Sequence, residues 1–223
     1  YASLYVYTYT RKKVQASKYL LDPSSIKSIK YLQIKQNTID AFVDQTFQTS
    51  LASSLQGNEQ ATDFDIAKVL YHYCRERFVC ADIKNSQWYE FKNHKFKLID
   101  SGVSLSLIIS SDLHDLYYKR MLDVAKSIQR LDKEDDPRWK DTKTKIRTLS
   151  NITSRVKDTD KKGKIMRAAK ELFYDAHFYE KIDNNSKIIG CNNGVVDFEQ
   201  NIFREGDTLD YITKTTKIDY IPS

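Results

Sequence analysis

Eleven cationic side chains crowd into residues 140–170: Lys140, Lys143, Lys145, Arg147, Arg155, Lys157, Lys161, Lys162, Lys164, Arg167 and Lys170. Only Asp141, Asp158 and Asp160 oppose them, an excess of eight that is larger than the +6 of the whole chain. Cations at this density neutralise phosphates and release the counterions of a nucleic-acid backbone. The plainer outcome for such a run is a solvated helix face. Lys143, Lys145, Arg147, Arg155, Lys157, Lys161, Lys162 and Lys164 are the candidate nucleic-acid contacts, with Lys161, Lys162 and Lys164 flanking Gly163 in an expected loop.

Other chemistry finds less support. His72, Cys74, Cys80 and His94 are metal-binding types, but structural zinc uses close Cys-x₂₋₄-Cys pairs and this spacing fits poorly. No metal site is assigned, and Cys74 and Cys80 read as small buried hydrophobes. The carboxylate pairs Asp63/Asp65 and Asp158/Asp160 lack the third ligand or base that metal-assisted phosphoryl chemistry needs. The first pair reads as a helix start and the second as a solvated turn. The chain contains no G-x-x-x-x-G-K-[ST] phosphate loop, no G-x-S-x-G elbow and no H-E-x-x-H pair. No catalytic residue and no cofactor are therefore assigned to it.

The elements that position these residues are mainly helical. Charged residues make up 30% of the 223, and only 6 Gly and 3 Pro interrupt the chain. Three cysteines without a disulfide-scaffold spacing fit a reducing compartment. No apolar run is long enough to span a bilayer, so no membrane partner is expected. The chain begins with Tyr and stops at Ser223, and it reads as part of a longer polypeptide.

Residues 1–61 read as an N-terminal extension or linker of uncertain fold. They include a strand at residues 4–10, loose helical spacing over residues 24–47, and a polar linker at residues 45–61. Residues 62–223 form the second domain. Thr62 to Asp65 start a helix with the stripe Ile66, Val69, Leu70 and Tyr73. Residues 88–99 read as a hairpin with a four-residue loop from Lys92 to Lys95. That register pairs Trp88 with Ile99, Tyr89 with Leu98, Glu90 with Lys97 and Phe91 with Phe96, which places the aromatics in a core rather than against bases.

Ser110 or Ser111 caps a further helix carrying Leu113, Leu116, Tyr117, Val124, Ile128 and Leu131. Asp136-Pro137 starts another, with Trp139, Ile146, Leu149, Ile152 and Val156 as its stripe. Ile165, Leu172, Phe173, Ala176 and Tyr179 carry the next. Asn193-Gly194 signals a two-residue turn that sets Cys191 opposite Val196 and Ile189 opposite Phe198, all four on one packed face. The fold class is α+β, a mostly helical domain with two β-hairpins.

Residues 78–110 (FVCADIKNSQWYEFKNHKFKLIDSGVSLSLIIS) and 188–220 (IIGCNNGVVDFEQNIFREGDTLDYITKTTKIDY) stand in order with TDFDIAKVLY before them and FYDAHFYEKID between. Together they resemble the poxvirus-type helicase–primase N-terminal-like domain of large nucleocytoplasmic DNA viruses and phages, over residues 62–220. Phe96 stands where that family usually has a Trp, Ser106 where an Arg often follows the Ser-Gly-x-x-Leu pattern, and Val196 where a Tyr is common.

The resemblance implies a place between a primase-type region upstream of Tyr1 and a ring-forming superfamily III ATPase beginning near Ser223. It implies a non-catalytic collar or linker module that assists ring assembly and DNA engagement, with ATP and magnesium needed only by the downstream motor. The implied partners are single-stranded or forked DNA and further copies of the parent protein in a hexameric ring, at a viral replication site in host cytoplasm or nucleus. A protein–protein interaction module without DNA contact is the alternative, and a nuclease or primase fragment the third.

Overall fold

The protein, described by a computed structural model, is defined over residues 23–55, 63–128 and 137–221. The strand expected at residues 4–10 lies outside them. The chain divides into two compact units, Tyr1–Thr38 and Ile39–Ser223. The described part of the first is the opening of helix α1 (Pro23–Leu55), where Thr38 donates its hydroxyl back to the Ile34 carbonyl at 2.9 Å.

In the second unit, α1 continues to Leu55 through residues whose composition reads as linker. Ile39, Val43, Phe47 and Leu51 explain this: spaced four apart, they share one face and are buried in the main core. Thr46 and Thr49 return their hydroxyls to carbonyls one turn back, so polar composition costs the helix little. The packed core thus begins upstream of the boundary expected near Thr62.

Helix α2 (Asp63–Cys74) buries Ile66, Ala67, Val69 and Leu70 completely. Strands β1 (Phe78–Asp82), β2 (Gln87–Lys92) and β3 (Lys95–Ile99) then form an antiparallel sheet in that order. The β2–β3 pairing matches the expected register from Trp88↔Ile99 to Phe91↔Phe96. The ladder extends one pair further, Lys92↔Lys95, leaving a two-residue turn at Asn93 and His94, both with positive φ. The sequence also hides an added strand, since β1 pairs with β2.

Both faces of this sheet are covered. Phe78, Cys80 and Trp88 enter the helical core, while Ala81, Tyr89, Phe91 and Phe96 pack with Phe178 and Tyr211. Glu90, paired with Phe78 and so on the helical side, is buried with Arg77 and the Ser104 hydroxyl as partners. Burial pushes its carboxyl up, but these two donors outweigh burial and hold it below the usual carboxylate range.

After the sheet, Asp100–Gly102 makes a 3₁₀ turn with positive φ at Ser101 and at Gly102, whose φ is +69°. Helix α3 (Val103–Ile108) follows, then a π turn (Ile109–Leu113), then α4 (His114–Ile128) without a break. Ser110 and Ser111 therefore lie inside the helical run and cap nothing. Leu105, Ile108, Ile109 and Leu113 bury a continuous stripe that carries the helix across the serines.

Helices α5 (Pro137–Lys157) and α6 (Thr159–Leu172) come next, then the short α7 (Phe178–Lys181). Leu149, Ile152 and Val156 of α5 and Ile165 and Ala169 of α6 are buried, as is Phe173. Trp139 is half-buried, whereas Ala176 and Tyr179 are exposed and Phe178 takes the buried position.

The C-terminal sheet joins β4 (Ile188–Gly190), β5 (Val195–Asp197) and β6 (Ile202–Arg204) in order. Here the expected register fails by two residues. Ile189 faces Val196 and Gly190 faces Val195, and the connection is the four-residue stretch from Cys191 to Gly194. Neither Asn193 nor Gly194 has positive φ. Asn193 instead latches a distant segment: its side chain accepts from Tyr220 N at 2.9 Å and donates to Tyr220 O at 3.0 Å. Gly194 is there for closeness, because a Cβ would sit 2.5 Å from the Arg204 carbonyl oxygen.

The buried side is also the opposite one. Val195 and Asp197 turn inward, while Ile189 and Phe198 are 43% and 55% exposed. Asp197 holds that position by accepting from Glu199 N, Gln200 N and the Arg204 guanidinium.

Candidate nucleic-acid interface

The basic run occupies α5 and α6, and how these helices form decides which cations stay available. Helix α5 is polar but packs by hiding its threonines. Thr142, Thr148 and Thr153 are buried, and each returns its hydroxyl to a carbonyl three or four residues back. Their satisfied hydroxyls flank the apolar positions Leu149, Ile152 and Val156. The opposite face is left to Lys140, Lys143, Arg147, Asn151 and Ser154, spaced three or four apart and all exposed.

Helix α6 begins at Asp158, whose carboxylate accepts from Lys161 N at 2.9 Å with extended backbone at φ −69° and ψ 129°. That hydrogen bond is the main reason the Asp158 carboxyl lies below its ordinary range. The expected loop at Gly163 is therefore helix, a correction that places Lys161, Lys162 and Lys164 on successive helical positions. Asp158 is the cap of that helix rather than part of a turn.

The eight candidate cations do not stay equivalent. Arg155 is 15% exposed and donates from Nε at 3.0 Å and Nη2 at 2.8 Å to Asp63, which is 92 residues away and 21% exposed. Lys145 pairs with Asp141 one turn earlier at 2.6 Å. Lys143 lies over the Trp139 ring at 4.9 Å, and Lys162 donates to the Ser110 hydroxyl at 3.1 Å. These last two have neutral partners, so their charge is uncompensated. Arg147, Lys157 and Lys164 are exposed and make no carboxylate contact among the described residues; the same holds for Lys140 and Arg167 of the same run. Lys161 is half-buried, and Lys170 donates to the Ser86 hydroxyl.

Of the eight, Arg155 is held by Asp63, while Lys140 and Arg167 of the same run are exposed. The three- and four-residue spacing of Lys140, Lys143 and Arg147 was visible in the sequence. The Asp63 partner was not, because nothing local links residues 63 and 155.

The remaining chemical candidates are dispersed. Cys74 and Cys80 are buried in the main core, and burial pushes the Cys80 thiol up. His72 stacks on Phe42 at 3.7 Å, and His94 Nδ1 accepts from Gly206 N at 3.1 Å. Asp65 is 3.7 Å from Lys68. Among the described residues no group of three or more His, Cys, Asp or Glu side chains could hold a metal ion, and no helix is long and apolar enough to cross a membrane.

Residues 67–223 match the family model described as D5 N terminal like, and the chain belongs to that family. Its relatives include a protein of Acanthamoeba polyphaga mimivirus named as a helicase, 33% identical over 196 residues covering 86% of this chain. A protein of Frog virus 3, also named as a helicase, is 23% identical over 191 residues covering 74% of the chain. A third so named, from Invertebrate iridescent virus 3, is 32% identical over 76 residues, 34% of this chain and 8% of its own length. The chain spans only 18% and 20% of the length of the first two relatives.

Proposed function

We propose that this chain is the non-catalytic module of a viral replication helicase–primase, and that it engages DNA phosphates through the exposed face of α5 and α6. The observation that carries the reading is the set of exposed cations there that have no carboxylate partner among the described residues: Lys140, Lys143, Arg147, Lys157, Lys164 and Arg167. Its family and the names of its viral relatives support the helicase context. In this reading the parent protein assembles as a hexameric ring, each copy adding one weak basic surface beside the DNA path. ATP and magnesium act only at a motor elsewhere in the parent, and the setting is a viral replication site in the host cytoplasm or nucleus.

The test is fluorescence anisotropy of the full chain with labelled single-stranded and forked DNA from 50 to 300 mM salt. Binding that falls steeply with salt supports phosphate contact. Affinity indifferent to salt, or no association at 50 mM, rejects it.

A second reading has its own observation. The cross-strand row Ile189, Val196 and Phe203, flanked by Phe198, leaves apolar area on the open face of the C-terminal sheet. A protein–protein module of a replication complex would use that face. Loss of association with the rest of the parent protein on Phe198→Ser and Phe203→Ser, in a chain that shows no DNA binding in the titration above, would favour it.

A further inference from the structure

Helices α5 and α6 offer many cations and almost nothing flat. Trp139 is the only aromatic residue from Pro137 to Leu172, and it is half-buried with the Lys143 ammonium over its ring. The exposed aromatics of the unit, among them Tyr118, Tyr174, Tyr179 and Phe198, belong to other elements. Proteins that hold single strands through their bases combine a basic path with aromatic platforms on which bases stack. Helices α5 and α6 carry such a path and no exposed aromatic side chain of their own.

The outward ridge of α5 is also chemically graded. Lys140, Lys143 and Arg147 lead into Asn151 and Ser154, which keep hydrogen-bond donors on the same face, with Ser150 beside them. From Lys140 to Ser154 the ridge runs about 21 Å at the helical rise of 1.5 Å per residue. A single strand can follow a straight line of that length with its phosphates facing the donors. A duplex turns its phosphates away around its own axis, so it meets fewer of them.

We infer that the α5 ridge binds the phosphodiester backbone of a single strand laid along it, without reading or stacking the bases. This rests on the DNA-engaging reading above and goes further by specifying which part of the nucleic acid is touched. Affinity then comes from counterion release and is blind to base identity.

The experiment compares three ligands on the full chain: a mixed-sequence single strand, an abasic strand of equal length, and the corresponding duplex. Each is titrated at several salt concentrations against the wild type and the triple variant Lys140→Ala, Lys143→Ala, Arg147→Ala. A control triple, Lys84→Ala, Lys92→Ala, Lys217→Ala, removes equal charge elsewhere, at exposed positions that make no ion pair among the described residues.

The expected result is abasic and ordinary strands bound within about twofold of each other, and the duplex more weakly. The ridge variant should lose about 2 from the slope of log affinity against log salt, at about 0.7 per single-strand phosphate, and so about 100-fold in affinity at 0.1 M relative to 1 M. The control should lose much less. An abasic strand bound tenfold more weakly, or a ridge variant no worse than the control, overturns the inference while leaving DNA engagement standing. Failure of the wild type to bind any of the three at 50 mM salt overturns both.

Discussion

Replacing Arg155 with Gln should destabilise the fold and leave DNA binding unchanged. Arg155 sits within the densest basic run of the chain, yet its guanidinium delivers two bonds to Asp63 Oδ1 and ties the C-terminal turn of α5 to the first turn of α2. Removing one partner of a fully buried ion pair costs about 3–5 kcal/mol, because the other charge is left uncompensated. Here the side chains are 15% and 21% exposed, so water recovers part of that and the loss should be about 2–3 kcal/mol. For a unit of this size each kcal/mol moves Tm by about 2–4 °C, which predicts a drop of roughly 4–12 °C. Calorimetry of Arg155→Gln, Asp63→Asn and the double variant measures it. The double variant should lose much less than the sum of the two single losses, since each single change strands a charge that the double change removes. A Tm unchanged within 1 °C together with a clear loss of DNA affinity would refute the reasoning and return Arg155 to the interface.

Gly163→Ala should raise stability by about 0.5–1 kcal/mol, because the position is helical and nothing lies within 4 Å of the added methyl; a loss on chemical denaturation would restore the loop reading. Gly194→Ala should cost about 1–3 kcal/mol by driving a Cβ against the Arg204 carbonyl oxygen, with hydrogen exchange accelerating in β5 and β6; unchanged exchange would show that the two segments are not closely apposed. The C-terminal sheet should loosen in acid. The Asp197 carboxyl is held low first by Gln200 N–H and then by Arg204; burial pushes Asp210 up, but Arg204 and the Asp207 N–H together hold it below the usual carboxylate range. Groups with lowered folded values contribute their full stability above the unfolded carboxyl range near pH 4 and lose it as pH falls through the lower folded values. Near-UV circular dichroism from pH 7 to 2 should change only below about pH 4, and loosening that already begins above about pH 5 would count against this pair.

The first hairpin was legible because its partners are chemically matched pair by pair. Glu90 opposite Lys97 and Phe91 opposite Phe96 allow one register, and a slip would turn every side chain over. The second was misread because Asn193-Gly194 has the composition of a tight turn but serves two long-range tasks, the Tyr220 latch 27 residues away and the approach of Arg204. A dipeptide cannot reveal a partner that distant. The helix through residues 45–55 was hidden by its small polar composition, although the Thr46 and Thr49 hydroxyls find carbonyls one turn back. At the candidate interface, position along α5 could be read from spacing, and the charge excess from counting. Which cations remain uncompensated could not, because the Asp63 partner of Arg155 comes from an element far away in sequence.

The outer edge of β3 has its closing partner late in the chain. Phe96 N–H donates to the Ile212 carbonyl at 2.7 Å, and Lys95 reaches Thr215 beside it. That cover arrives about 115 residues after the edge itself. At synthesis rates of about 5–20 residues per second, the strand emerges roughly 6–23 s before its cap exists. An open edge invites pairing with another nascent chain. The lysines at 95 and 97 guard it in that interval, since charge on an edge discourages strand-to-strand association. Ribosomes packed closely on one message would be where this protection is tested first.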